Sequence, residues 1–193
     1  MRRWARWAAA LVALPLGAPA LADDGGRAKA APCLVCHGAE GKPAMENFPS
    51  LAAQPKQYVA TQLYLFREGG RVDEQMGLIA SGLSNDDMNE LAAFFTAQKP
   101  PEPEHTADAT TSARAQALIE ANHCGSCHGP DLMGLQQMPR LAGQQRAYLV
   151  KALAAFKAGT RSGVDGTMGS AAQPLSDEDI AALADYLSGL GAK

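Results

Sequence analysis

Beyond residue 22 the sequence has no apolar run approaching the ~20 residues that a bilayer-spanning helix needs, so that part of the chain carries no evident membrane span. It also lacks any sustained alternation of apolar and polar residues, which argues against a sheet. Basic residues are scarce: past Ala22 there are 14 Lys+Arg against 20 Asp+Glu, a net charge of −6, with no basic patch. Binding to nucleic acid, which rests on neutralising phosphates, is thereby disfavoured. Cysteine is scarcer still. All four cysteines fall in two pentapeptides, CLVCH at Cys33 to His37 and CGSCH at Cys124 to His128.

The first 22 residues have a different character. Arg2, Arg3 and Arg6 precede the apolar run AAALVALPLGAPALA, which closes on Ala20-Leu21-Ala22. A positive n-region, an apolar h-region and an A-x-A site describe a secretory signal peptide cleaved after Ala22. An uncleaved anchor is the alternative, and Pro15, Gly17 and Pro19 make the run a poor spanning helix. Both tryptophans, Trp4 and Trp7, belong to this leader.

The remainder is a duplication. FPSLAAQPKQYVATQLYLF (Phe48 to Phe66) aligns with MPRLAGQQRAYLVKALAAF (Met138 to Phe156) at an offset of 90, matching Pro49 with Pro139, Leu51 with Leu141, Gln54 with Gln144, Tyr58 with Tyr148 and Phe66 with Phe156. GLSNDDMNELAAFF (Gly82 to Phe95) aligns with PLSDEDIAALADYL (Pro174 to Leu187) at an offset of 92, and the cysteine pairs lie 91 apart. Between the copies, Gln98 to Ser112 is rich in Pro, Thr and acidic residues and reads as a linker that contains a solvated His105. The expected organisation is a signal peptide at 1–22, an N-terminal domain at 23–99, a linker at 100–112 and a C-terminal domain at 113–193.

Within each copy the periodicity is helical. Val59, Leu63 and Phe66, matched by Leu149, Leu153 and Phe156, form one apolar stripe. Ser84-x-x-Asp87 and Ser176-x-x-Asp179 have the spacing of a capping box. The helices they open bury Met88, Leu91 and Phe95 in one copy and Ile180, Leu183 and Leu187 in the other. Each half is thus an all-α domain of ~75 to 80 residues, a size at which an apolar core alone is marginal and a bound group helps.

The pattern C-x-x-C-H points to such a group. In a helical turn, thiols three apart and the histidine that follows can face one object, and this is the attachment pattern of c-type haem. The thiols of Cys33 and Cys36, and of Cys124 and Cys127, would form thioethers with the porphyrin, and His37 and His128 would be proximal iron ligands. A zinc site of paired C-x-x-C motifs separates them by about 15 to 20 residues, whereas 87 residues lie between Cys36 and Cys124. A thioredoxin-like motif needs a βαβ context that is missing, and a disulfide leaves each histidine unexplained.

The second axial position is a separate question. Of the methionines past the leader, only Met76 and Met168 match each other, 39 and 40 residues beyond His37 and His128, in the loop-like segments EQMGL and GTMGS. As soft thioether ligands they would favour Fe(II) and raise the reduction potential, towards the oxidising end of a respiratory chain. As core fillers they would have no role at the metal. Two further matched pairs carry two readings each. The carbonyls of Pro49 and Pro139 either accept the free imidazole N–H of the ligand histidines or the prolines merely direct the chain. Arg71 and Arg161 either pair with haem propionates or are solvated. His123, opposite Pro32 in the repeat, is assigned no ligand role.

The segments CLVCHGAEG, FPSLAAQ, YLFREGGR, QM and LS, followed in the second half by CGSCHGPD, MPRLAGQ, AFKAGTR, TM and LS, resemble the di-haem cytochrome c4 family over essentially all of the chain past the leader. The resemblance implies two tandem class I cytochrome c domains, two covalently bound haem c groups, His/Met ligation at both irons and haem edges facing each other across the domain interface. It also implies a periplasmic electron carrier of Gram-negative bacteria without substrate turnover at the metal. Its partners would be a cytochrome bc-type donor and a terminal oxidase as acceptor, with room for loose association with a membrane surface. A di-haem peroxidase or sulfur-compound dehydrogenase, and the cytochrome subunit of a larger redox complex, are the competing readings.

Overall fold

The computed structural model describes residues 24–103 and 105–191. The expected signal peptide and its cleavage site lie outside them. The described residues are helices, turns and loops without a strand, and the backbone pairing of Leu135 with Met138 is an isolated bridge. None of these helices is long and apolar enough to cross a membrane.

The first copy is built from α1 (Asp24–His37), α2 (Lys56–Arg67), α3 (Glu74–Ser81) and α4 (Asn85–Thr96). The second is built from α5 (Ala109–Ala121), α6 (Cys124–His128), α7 (Arg146–Lys157), α8 (Thr167–Ala172) and α9 (Asp177–Ser188). Both serine-aspartate pairs form complete capping boxes: the Ser84 and Ser176 hydroxyls accept from Asp87 and Asp179 N–H, and each aspartate accepts from its serine N–H. Helix α5 starts inside the stretch whose composition reads as linker, because the Asp108 carboxylate accepts from the N–H groups of Thr110 and Thr111 and nucleates a turn there. His105 in that stretch is exposed and lies 3.1 Å from the Asp185 carbonyl oxygen.

One local difference separates the copies. The pentapeptide of the first copy is the end of the continuous helix α1, whereas α6 is set off from α5 by His123 in the left-handed region at φ 51°. Pro32 stands at the equivalent place, and its ring, which fixes a negative φ, forbids the left-handed break.

Two cores result. Val59, Leu63, Met88, Leu91, Ala92 and Phe95 pack with Ala30 in the first, and Leu149, Phe156, Leu175, Ile180, Leu183 and Leu187 pack with Ala115 and Leu132 in the second. The expected apolar stripes feed these cores, except that Phe66 is buried outside the first cluster and Leu153 is only partly buried. Lys29 on α1 ties to Asp87 and Glu90 on α4, each at 2.5 Å.

The copies meet through the loops that precede α2 and α7. The Gln54 side chain accepts from Arg140 N–H at 2.9 Å and donates to the Arg140 carbonyl at 3.1 Å. Gln144 does the same to Ser50, at 2.7 and 3.0 Å. The two amides are therefore related by the repeat, each clamping the backbone of the other copy. Symmetry breaks at the clamped residues, where Ser50 faces a fully buried Arg140 whose guanidinium donates to Ala52 O, Ala142 O and Ser50 Oγ. Among the described residues its acceptors are neutral, and burial lowers its pKa to about 10.

Leu91 and Leu183 occupy equivalent core positions at 1% and 4% exposure. Leu91→Ala or Leu183→Ala should each lower stability by about 2–5 kcal/mol, and Ser176→Ala by about 1 kcal/mol through loss of the cap. Chemical denaturation followed by helical circular dichroism measures all three.

Candidate functional site

The two pentapeptides sit at helix ends packed on the cores. Cys33 and Met76 lie against the first core, and Cys124 and Met168 against the second. None of the four cysteines is joined in a disulfide. Burial pushes the thiols of Cys33 and Cys124 up, so neither has the lowered pKa of an activated redox nucleophile.

His37 and His128 are buried at 6% and 4% exposure. In each, Nδ1 lies 2.9 Å from a proline carbonyl oxygen, Pro49 for His37 and Pro139 for His128. A carbonyl only accepts, so Nδ1 carries the proton and donates. The tautomer is thereby set with the lone pair on Nε2. The prolines are therefore acceptors for the histidines and not merely chain directors. Burial lowers both imidazole pKa values against the opposing effect of the carbonyl, which keeps the rings neutral. The Phe48 and His37 rings meet in a T-shaped pair with centroids 6.2 Å apart. His128 Nε2 is buried and, among the described residues, has no hydrogen-bond partner. A neutral, oriented imidazole with a free lone pair is the form in which histidine binds a metal, so the residues present fit a haem iron.

Met76 and Met168 are in short helices, not in loops as their surroundings suggest. Met76 is in the first turn of α3, where its N–H donates to the Asp73 carboxylate at 3.1 Å, and Met168 is in the first turn of α8 after Gly166 at φ 76°. Polar residues and glycines at EQMGL and GTMGS concealed these helices, because a helix of about two turns needs little apolar periodicity. Both methionines are half-buried.

Arg71 and Arg161 are neither free in solvent nor paired with carboxylates among the described residues. They converge across the interface: Arg71 donates to Gln62 Oε1 at 2.6 Å and to the Tyr148 hydroxyl at 3.0 Å, and Arg161 donates to the same hydroxyl at 3.3 Å. Their guanidinium carbons lie 4.4 and 4.5 Å from the ring centroids of Phe66 and Phe156. Burial opposes ionisation of Tyr148, but the two cations outweigh it and lower its pKa. Two guanidiniums meeting on hydroxyl and amide oxygens make a cationic patch suited to carboxylates. Tyr148, Gln62, Gln54, Gln144 and Arg140 have no role in the sequence reading. The repeat matches Tyr148 with Tyr58 and Gln54 with Gln144, a signal without a stated purpose until the copies are seen packed together.

Comparison with known proteins finds relatives along most of the chain. The cytochrome c family model matches residues 112–191. Cytochrome c4 of Pseudomonas aeruginosa is 36% identical over 86% of this chain and 87% of its own. A protein of Thiomonas intermedia named thiosulfate dehydrogenase electron acceptor is 36% identical over 83% of this chain and 79% of its own. The crystal structure of reduced recombinant cytochrome c4 from Pseudomonas stutzeri superposes with a TM-score of 0.80 at 31% identity, covering 87% of this chain and 98% of that one. With tandem helical domains, a C-x-x-C-H pentapeptide in each and relatives matched along most of its length, the chain belongs to the cytochrome c4 family, c-type cytochromes that carry electrons on covalently bound haem c groups.

Proposed function

We propose that this chain is an exported di-haem electron carrier with one haem c held by Cys33 and Cys36 and the other by Cys124 and Cys127. His37 and Met76 would be the axial ligands of the first iron, and His128 and Met168 those of the second. The observation that carries this reading is the His128 ring, buried with Nδ1–H committed to Pro139 and Nε2 without a partner among the described residues. A buried polar atom without a partner is costly, and a metal bond is the match for this lone pair. The equivalence of His37, with its bond to Pro49, extends the reading to the first copy.

A c-type haem supplies a one-electron Fe(III)/Fe(II) couple when bound. The chain's own residues hold and tune it. Pro49 and Pro139 orient the imidazoles. The thioethers of Met76 and Met168 are soft, neutral donors that favour the reduced iron and raise the potential. Arg71 and Arg161 offer donors to propionate carboxylates at the interface. With a histidine and a methionine assigned to each iron, no coordination position would remain for a substrate, and the protein would transfer electrons without turnover at the metal.

The leader supports a periplasmic location. A raised potential suits delivery to a terminal oxidase from a cytochrome bc-type donor. A second reading of the donor is a thiosulfate-oxidising dehydrogenase, favoured by the name of the Thiomonas intermedia relative. Reduction of the oxidised holoprotein by one purified donor and not the other separates the two.

Visible spectra of the oxidised and reduced protein should show two haem c groups per chain with thioether ligation. Carbon monoxide added to the reduced protein at neutral pH should not bind; ready binding at either haem means an open coordination position. Met76→Ala and Met168→Ala should each lower the potential of one haem while mass analysis still finds both attached. Redox titration with both potentials unshifted in both variants refutes methionine ligation. Cys33→Ala or Cys124→Ala should instead impair attachment in one domain, read as a shift in mass and a lower unfolding midpoint.

A further inference from the structure

The bonds from the histidines do not stop at the prolines. The carbonyl that accepts from His37 belongs to the peptide unit joining Pro49 to Ser50, and the N–H of that same unit donates to Gln144 Oε1, in the other domain, at 2.7 Å. The peptide unit joining Pro139 to Arg140 accepts from His128 and donates through its N–H to Gln54 Oε1, again in the other domain, at 2.9 Å. Each histidine is thus one peptide group away from a glutamine that its own domain does not supply. Both glutamines are buried, at 1% and 4% exposure, so their amide oxygens are shielded from competing water.

A peptide group transmits polarisation. When its N–H donates, electron density moves towards its oxygen and the carbonyl becomes the stronger acceptor, an effect enlarged where the dielectric is low. A stronger acceptor at Nδ1–H gives the imidazole more anionic character and makes Nε2 the better donor to a metal. A better donor stabilises Fe(III) over Fe(II) and lowers the potential. The Gln144 oxygen therefore acts on the first haem and the Gln54 oxygen on the second.

We propose that Gln54 and Gln144 are crossed positioning residues, each setting the donor strength of the ligand histidine in the opposite domain, so that each haem potential depends on the intact interface. This rests on the histidine ligation proposed above. A domain whose partner docks loosely would lose the contribution, and its potential would rise.

The test uses the full-length holoprotein with both haems attached. Haem-methyl proton resonances, assigned to each domain, follow the two midpoints separately in a redox titration. Gln144→Leu should raise the midpoint of the first haem more than that of the second, and Gln54→Leu should do the reverse. A shift concentrated in the variant's own domain, an equal shift in both haems, or no shift overturns the proposal. Should a leucine variant fail to fold, Gln144→Glu and Gln54→Glu decide. They keep an acceptor oxygen and strengthen it, so the opposite haem should fall most; a fall that is largest in the variant's own domain, equal in both haems or absent overturns the proposal.

The Nδ1 proton resonance of the opposite histidine should move in every folded variant, while that of the histidine in the variant's own domain holds its position. General loosening of the interface would instead disturb both. Loss of histidine ligation in the unaltered protein, read from the same spectra, defeats the ligation reading. Uncrossed shifts with ligation intact defeat only this inference.

Discussion

A hydrogen bond from a buried imidazole to a proline carbonyl is the constraint on which the rest of each domain depends. It holds Nδ1 protonated, leaves the lone pair on Nε2 and stops the ring from turning, at 2.9 Å in both copies. Much of the surrounding fold keeps that carbonyl in place. In the first domain Leu51 and Ala52 donate to Gly41 O, and in the second Leu141 and Ala142 donate to Leu132 O, so the chain after each proline is anchored to the chain after each pentapeptide. The capped helices close the other side, with Ala53 N–H donating to Phe95 O and Gly143 N–H to Leu187 O. At this last turn the backbone is left-handed, at φ 53° for Ala53 and 64° for Gly143.

The interface is polar at its centre, unlike the two apolar cores it joins. A buried polar network specifies a unique arrangement only when every member is satisfied. Gln54 and Gln144 meet that condition by using both ends of their amides on the opposite backbone. Arg140 meets it with several neutral acceptors, at the cost of a desolvated cation. The replacement of a serine by this arginine across the repeat places a positive charge beside the peptide that holds His128. The two halves are thus alike in fold and unlike in electrostatic surroundings. Nearer the edge of the interface, Arg71 and Arg161 add a second cationic feature held by Gln62 and Tyr148.

Much of this was legible in the linear text because its causes are local. A serine three residues before an aspartate can satisfy amides only in one geometry, and both predicted boxes form. Val59, Leu63 and Phe66 recur at a helical period, and a buried stripe is the way to hide them. Met76 and Met168 show where local reading weakens: the repeat singled them out, but their short helices start at the Asp73 cap and at the left-handed Gly166 rather than from an apolar pattern. Pro49 and Pro139 had two meanings in the sequence, and only their distance to the imidazoles chose between them. Arg71 and Arg161 had two meanings as well. Their partners stand on another helix and, for Arg71 with Tyr148, in another domain.

By itself, the sequence determined the duplication, the all-helical class, the pentapeptides and the matched methionines, since these are patterns of residue type and spacing along one chain. It also determined the family. Which nitrogen of each histidine carries the proton, and that Gln54, Gln144, Arg140 and Tyr148 bridge the two copies, was decided by tertiary structure alone. These contacts join atoms of residues 77 to 94 positions apart. No propensity or periodicity encodes such a pairing, because it exists only once two separately folded cores have brought their surfaces together and removed the water between them.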